Sequence, residues 1–112
     1  MKLTNENFKE ELELCEFALV LISGDGCANC MTMYPIVQEV AEKLDNLSVF
    51  NLDVDKTNYK INEYYDIEMV PTILFLYRGN LISKVKGYQP PEILQIYVET
   101  KMEEYASKNS LN

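Results

Sequence analysis

Apolar and polar residues change period several times along this chain, and each change marks an element. Between Thr4 and Leu14, Phe8 and Leu12 recur at helical spacing with Cys15 just beyond, and Thr4 is placed to cap a short amphipathic helix. Phe17-Ala-Leu-Val-Leu-Ile22 then runs without a polar break. A run of that length suits a strand buried on both faces. Ser23-Gly24-Asp25-Gly26 ends it, and from Ala28 to Leu44 a helical period returns, with Met33, Val37, Val40, Ala41 and Leu44 on one face. Pro35 falls inside that helix and is expected to kink it, because its ring blocks a hydrogen bond one turn back.

Leu47 to Val54 reads as a second strand and Thr57 to Tyr65 as a short helix. After Pro71 a third apolar run, Thr72 to Tyr77, meets Arg78-Gly79-Asn80 and then Leu81 to Lys86, the pattern of an antiparallel hairpin. Pro90-Pro91 opens a last helix, whose buried side is expected to carry Ile93, Leu94, Tyr97 and Val98. Ser107 to Asn112 is expected to fray. The order α-β-α-β-α-β-β-α predicts an α/β fold: a central mixed sheet flanked by helices on both faces. No repeat, low-complexity tract or flexible linker divides residues 1–112, so a single domain is expected.

Composition narrows the chemistry. Hydrophobic residues make up 47% and charged residues 25%, the balance of an ordinary globular chain. Lys plus Arg number 10 against 18 Asp plus Glu, so 10 − 18 gives a net charge of −8. Nucleic acid and anionic membranes call for a basic surface, so neither is an expected partner. The chain has no His, which removes Ser-His-Asp and Cys-His nucleophiles, imidazole proton shuttles and His metal ligands. Its first 14 residues lack the apolar core of a signal peptide, and Phe17–Ile22 is far too short to span a bilayer. A soluble, monomeric, cytoplasmic domain without a cofactor is expected.

Three cysteines remain, Cys15, Cys27 and Cys30. An odd, small set does not suit the disulfide framework of a secreted scaffold. Cys27-Ala28-Asn29-Cys30 lies between the first buried strand and the long helix. At a helix start, unpaired N–H groups and the positive end of the helix dipole stabilise a thiolate, which makes Cys27 the candidate nucleophile. Cys30, one turn further in, is close enough to close a disulfide with it. Exchange would run by attack of Cys27 on a substrate disulfide, followed by resolution of the mixed disulfide by Cys30. Half of a zinc site is the rival reading of the pair, with Cys15 the one further sulfur available. Cys15 itself reads as a small core residue.

At this point the sequence resembles the thioredoxin family over about residues 16–105. The apolar strand, C-x-x-C at a helix start, Pro35, Val70-Pro71-Thr72 before a strand, the Arg78-Gly79-Asn80 turn and Gly87 carry the resemblance. It implies a thioredoxin fold and a thiol–disulfide oxidoreductase acting on protein or small-molecule disulfides, recharged by a donor of the thioredoxin-reductase kind. It also implies a cis peptide bond before Pro71, with the backbone of Val70 pairing with substrate and Gly26 and Gly87 lining the same groove.

The departures also carry information. The family's Trp-Cys-Gly-Pro-Cys is Gly26-Cys27-Ala28-Asn29-Cys30 here, and the chain has no Trp. The family's buried Asp falls at Leu21, and the Lys often paired with it falls near Asn51 or Leu52. Cys30 must therefore lose its proton elsewhere, and Asp25 and Glu68 are the nearest candidates by sequence. A carboxylate at Asp25 opposes a Cys27 thiolate, so a slower or more specialised exchanger is expected, one that disfavours acidic disulfide partners. Met31 and Tyr34 are candidates for an apolar surface beside the pair. Tyr59, Tyr64 and Tyr65 read as packing, and Asp53 and Asp55 as solvated groups at a strand end. A glutaredoxin-like enzyme and a non-catalytic binding module on the same fold stand as the alternatives.

Overall fold

Four strands form one sheet in the order β2-β1-β3-β4: β1 Phe17–Ser23, β2 Leu47–Asp53, β3 Thr72–Tyr77 and β4 Asn80–Lys86. β1 and β2 run parallel, joined by the helix α2 Ala28–Glu42, whereas β3 is antiparallel to both β1 and β4. The helices α1 Phe8–Glu13, α3 Tyr59–Tyr64 and α4 Pro91–Ser110 complete the element order expected from the sequence. The computed structural model describes the backbone of residues 3–54 and 59–110 and the side chains of residues 3–54 and 60–106. Asp55 and the expected helix start at Thr57 lie outside the described residues.

The unbroken apolar run of β1 is explained by its place at the centre. Six consecutive residues, Phe17 to Ile22, are buried because the strand has a neighbour on each edge and helices on each face. Ala18, Val20 and Ile22 point into one core with Phe8, Leu12, Phe50, Leu52, Ile61 and Tyr65. Phe17, Leu19 and Leu21 point into the other with Met33, Ile36, Val37, Val40, Leu94 and Val98. Burial of each large side chain contributes about 1.5–3 kcal/mol, so β1 alone anchors both layers.

Boundaries differ from the sequence expectation where local hydrogen bonding decides them. Thr4 caps the turn that leads into α1, although the regular helix begins only at Phe8. The Asn7 N–H donates to Thr4 Oγ1 at 3.2 Å and the Thr4 N–H to Asn7 Oδ1 at 2.8 Å, the reciprocal bonds of a capping box, and the Phe8 N–H donates to the Thr4 carbonyl at 3.1 Å. α2 stops at Glu42 instead of Leu44, since the Lys43 and Leu44 amides tighten onto the Val40 and Ala41 carbonyls at 3.2 and 3.3 Å. Ile36 is buried beside the expected face, while Ala41 is only half-buried. Ile93 is 57% exposed, because Leu94 and Val98, four apart, set the face of α4 that meets the sheet. Tyr97 is half-buried, donating its hydroxyl hydrogen to Ser83 Oγ at 2.6 Å. The backbone of α4 is helical to Ser110.

The hairpin turn is one residue shorter than expected. Tyr77 pairs with Asn80, leaving Arg78 and Gly79 at φ +48° and +86°. Two left-handed residues match the twist of the flanking strands, which is why Gly follows Arg here. Among the described residues no helix is long and apolar enough to cross a membrane.

Candidate active site

β1 ends at Ser23, and Gly24-Asp25-Gly26 turns the chain into α2, with Gly26 in the left-handed region at φ +71°. Cys27 is the N-cap of that helix, extended at φ −94° and ψ 99°. Its Sγ accepts a hydrogen bond from the Cys30 N–H at 3.1 Å, the place a serine oxygen occupies in an ordinary cap. Cys27 and Cys30 are joined by a disulfide with their Cα atoms 5.3 Å apart. Cys27 is half-buried and Cys30 is 4% exposed, so the sulfur that solvent can reach belongs to the outer residue. No acidic residue stands in the first turn of α2 to compete for its dipole.

The loop before β3 is brought to the same end of the sheet. The Val70–Pro71 peptide bond is cis. Thr72 Oγ1 donates to the Met69 carbonyl at 2.7 Å, and the Gly87 N–H donates to the Pro71 carbonyl at 2.8 Å. Two residues on, the Gln89 N–H donates to Met33 Sδ at 3.3 Å, which ties the chain after β4 to the cysteine helix. Gly24 closes the circuit, since a Cβ there would sit 3.3 Å from a methyl of Val70. Val70, Pro71, Gly87 and the helix that starts at Cys27 are thus linked by short contacts, with Gly26 preceding the outer sulfur.

A cleft of about 410 Å³ opens over the disulfide, lined by Ser23, Gly24, Cys27, Cys30, Met31, Tyr34 and Asp53. Met31 is 79% exposed and Tyr34 48%, so the apolar wall suggested by the sequence is present. Ser23, Gly24 and Asp53 are the lining residues that sequence reasoning missed. Their signal was positional: Ser23 and Asp53 are register partners at the carboxyl ends of two parallel strands, where open α/β sheets place their ligands. Of the two expected acids, Glu68 is held by Lys86 at 3.1 Å, and Asp25 is exposed two residues before Cys27.

The lost acid–base pair is explained by register. Leu21 lies beside Asn51, and Leu52 points into the other core, so Asn51 is the neighbour that matters. Asn51 Oδ1 is buried without a hydrogen-bond partner among the described residues. Cys15 packs against the core on the other face of the sheet and donates to the Glu11 carbonyl at 3.4 Å. Among the described residues no group of three or more Cys, Asp or Glu side chains is placed to hold a metal.

A second cleft, about 280 Å³, lies between α1 and α3 beside Phe8, Lys9, Lys60 and Tyr64, and shares no residue with the first. Behind it the rings of Tyr64 and Tyr65 meet edge to face at 4.9 Å. Burial, with the neighbouring Tyr64, pushes the Tyr65 hydroxyl up to about 12.

A four-stranded mixed sheet, a cysteine pair closing a disulfide at a helix N-terminus and a cis-proline loop tied to that helix define a thiol–disulfide oxidoreductase. Known proteins agree. The family model described as Thioredoxin matches residues 1–100, and the chain belongs to the thioredoxin family. Thioredoxin H5 of Arabidopsis thaliana is 29% identical over 93 residues, covering 83% of this chain and 78% of that protein. The thioredoxin of Alicyclobacillus acidocaldarius subsp. acidocaldarius is 31% identical over 96 residues, covering 85% of this chain and 90% of its own. Among solved structures, a chain from the complex of ferredoxin:thioredoxin reductase and thioredoxin f2 superposes with a TM-score of 0.82 at 18% identity, covering 91% of this chain and 94% of that one.

Proposed function

We propose that the protein reduces disulfides with Cys27 as nucleophile and Cys30 as resolving thiol. The observation that carries this is the 3.1 Å hydrogen bond from the Cys30 N–H to Cys27 Sγ at the start of α2. In the reduced protein the same donor and the helix dipole lower the energy of a Cys27 thiolate. That thiolate attacks one sulfur of the substrate disulfide, and the other sulfur leaves and takes a proton from solvent. Cys30 then gives up its proton through the open cleft and attacks Cys27 Sγ. The second substrate thiol departs, and the Cys27–Cys30 disulfide of this structure is the product. The low exposure of Cys30 supports the order of attack, since substrate meets the outer sulfur first.

Val70, Pro71, Gly26 and Gly87 form the docking edge in this reading. Support comes from the cis bond before Pro71, the contact of Val70 with the Gly24 backbone and the Gly87–Pro71 hydrogen bond. An extended substrate segment would lie along Val70 and present its disulfide to Cys27. The oxidised pair is recharged by a dithiol donor of the reductase kind. The solved complex of ferredoxin:thioredoxin reductase with thioredoxin f2 supports such a partner. A half-buried free thiol at Cys15 fits the reducing cytoplasm in which we place the protein. The test is dithiothreitol-driven reduction of insulin: Cys27→Ser abolishes the rate above background, and an unchanged rate sinks the mechanism.

A further inference from the structure

Cys30 and Met33 lie three residues apart on α2, so the inner sulfur of the pair and a thioether share one buried face of the helix, at 4% and 0% exposure. Met33 belongs to the core that holds Leu21, Val37 and Leu94. Its Sδ accepts the Gln89 N–H at 3.3 Å, a contact between residues 56 apart in the chain. Gln89 Nε2 turns back to donate to the Lys86 carbonyl at 3.5 Å, which closes the segment 86–89 on itself. Within that segment the Gly87 N–H donates to the Pro71 carbonyl at 2.8 Å. The cysteine helix and the cis-proline loop are therefore joined through Met33, Gln89 and Gly87, with a hydrogen bond at each end of the link. A leucine at position 33 would fill much the same volume, but it offers the half-buried Gln89 N–H no acceptor.

We infer that Met33 is a positioning residue: its sulfur holds the segment 86–89, and through Gly87 the Pro71 loop, in the place where an extended substrate docks beside Cys27. The inference rests on the exchange reaction and the docking edge proposed above. Met33 is closed to solvent, so it meets no substrate itself, and the exchange steps are unchanged. Its effect falls on substrates that lie along the edge. A small disulfide that reaches Cys27 through the open cleft does not use the edge and is indifferent to Met33.

Two substrates separate the edge from the sulfurs. Insulin, with dithiothreitol as donor and the uncatalysed rate subtracted, gives KM and kcat. Hydroxyethyl disulfide, mixed with fully reduced protein and quenched by alkylation, gives the rate at the cysteines alone. Met33→Leu is expected to raise KM for insulin about fivefold, within the range one modest hydrogen bond can carry, with kcat and the hydroxyethyl disulfide rate unchanged. Hydrogen exchange at the Gln89 amide speeds up, while the amides of Leu94 and Val98 in α4 keep their rates. Gln89→Pro removes the donor and leaves the core side chain alone, so it decides the matter should Met33→Leu fail to fold. It raises KM at least as far, and the double variant is no worse than Gln89→Pro by itself. Met102→Leu, the same exchange of side chain at the margin of the same core, leaves KM in place. An unchanged KM in both variants, or unchanged exchange at Gln89 in Met33→Leu, overturns the inference. An equal rise of KM in Met102→Leu assigns the effect to packing and overturns it too. A matching fall with hydroxyethyl disulfide puts the effect on the cysteines and does the same. A parent protein that consumes neither substrate overturns the exchange reaction itself, and the inference with it.

Discussion

The backbone N–H of Cys30 donates to the sulfur of Cys27 across the first turn of α2, 3.1 Å from donor to acceptor. One sulfur thus does two jobs, capping the helix and presenting the outer half of the redox pair to the cleft. The two jobs separate by mutation. In the reduced state Cys27→Ser keeps a cap, because a hydroxyl accepts the same hydrogen bond, and its urea midpoint stays close to that of the parent. Cys27→Ala loses the cap and about 1 kcal/mol of stability. Both lose exchange. Equal stability of the Ser and Ala variants contradicts the capping role.

Cys30→Ser separates attack from resolution. Cys27 still attacks, but nothing displaces the bound half of the substrate. The variant accumulates a stable mixed disulfide when mixed with a disulfide peptide, visible as an adduct mass on the peptide containing residue 27. An adduct on Cys15 in its place assigns the reactive thiol wrongly.

Gly24 is where the cysteine turn and the cis-proline loop touch, and its missing Cβ leaves 3.3 Å to Val70. Gly24→Ala must push the Val70 side chain by a few tenths of an ångström. Less freedom in the unfolded chain offsets that strain by about 0.4–1 kcal/mol, so the thermal midpoint changes little. The kcat/KM for a protein disulfide falls several-fold, because the edge that docks substrate has moved. Unchanged kinetics with unchanged stability removes Val70 from the docking edge.

Tyr65 gives a stability signature at high pH. Its hydroxyl is pushed up to about 12 in the folded protein, against 10.0 in the unfolded chain. Below pH 10.0 both states hold it neutral and the contribution is fully present. From 10.0 to about 12 the unfolded chain ionises while the folded one does not, so stability falls as pH rises. The loss reaches about 2 kcal/mol at the upper end. Urea midpoints measured across that window show a steeper decline in the parent than in Tyr65→Phe. Parallel declines contradict the burial of the neutral hydroxyl.

Much of this was legible in the sequence because it rests on residues that carry their own geometry. The run Phe17–Ile22 could be buried on both faces only at the centre of a sheet, and there it lies. Cys27 and Cys30 at a strand–helix junction, with Val70-Pro71-Thr72, carried the site. What escaped depends on pairing between distant segments. Asp53 enters the cleft because β2 lines up in parallel register with β1, which puts it beside Ser23. Asn51 rather than Leu52 stands beside Leu21 for the same reason, and a one-residue slip would exchange them. Thr4 was legible as a cap because Asn7, three residues on, completes a reciprocal capping box with it. Ile93 lies outside because apolar character alone does not fix which arc of a long helix meets the sheet, and here Leu94 and Val98 do.

Cys27 and Cys30 are expected to form a reversible two-electron couple. Equilibrating the protein in thiol–disulfide buffers of graded potential, trapping free thiols with an alkylating reagent and weighing the products tests it most directly. One transition is expected in which both cysteines change together, with a slope of about 30 mV per tenfold change in ratio, while Cys15 stays alkylated at potentials where the pair is oxidised. A pair that stays reduced across the range, or one in which the two cysteines titrate separately, contradicts it.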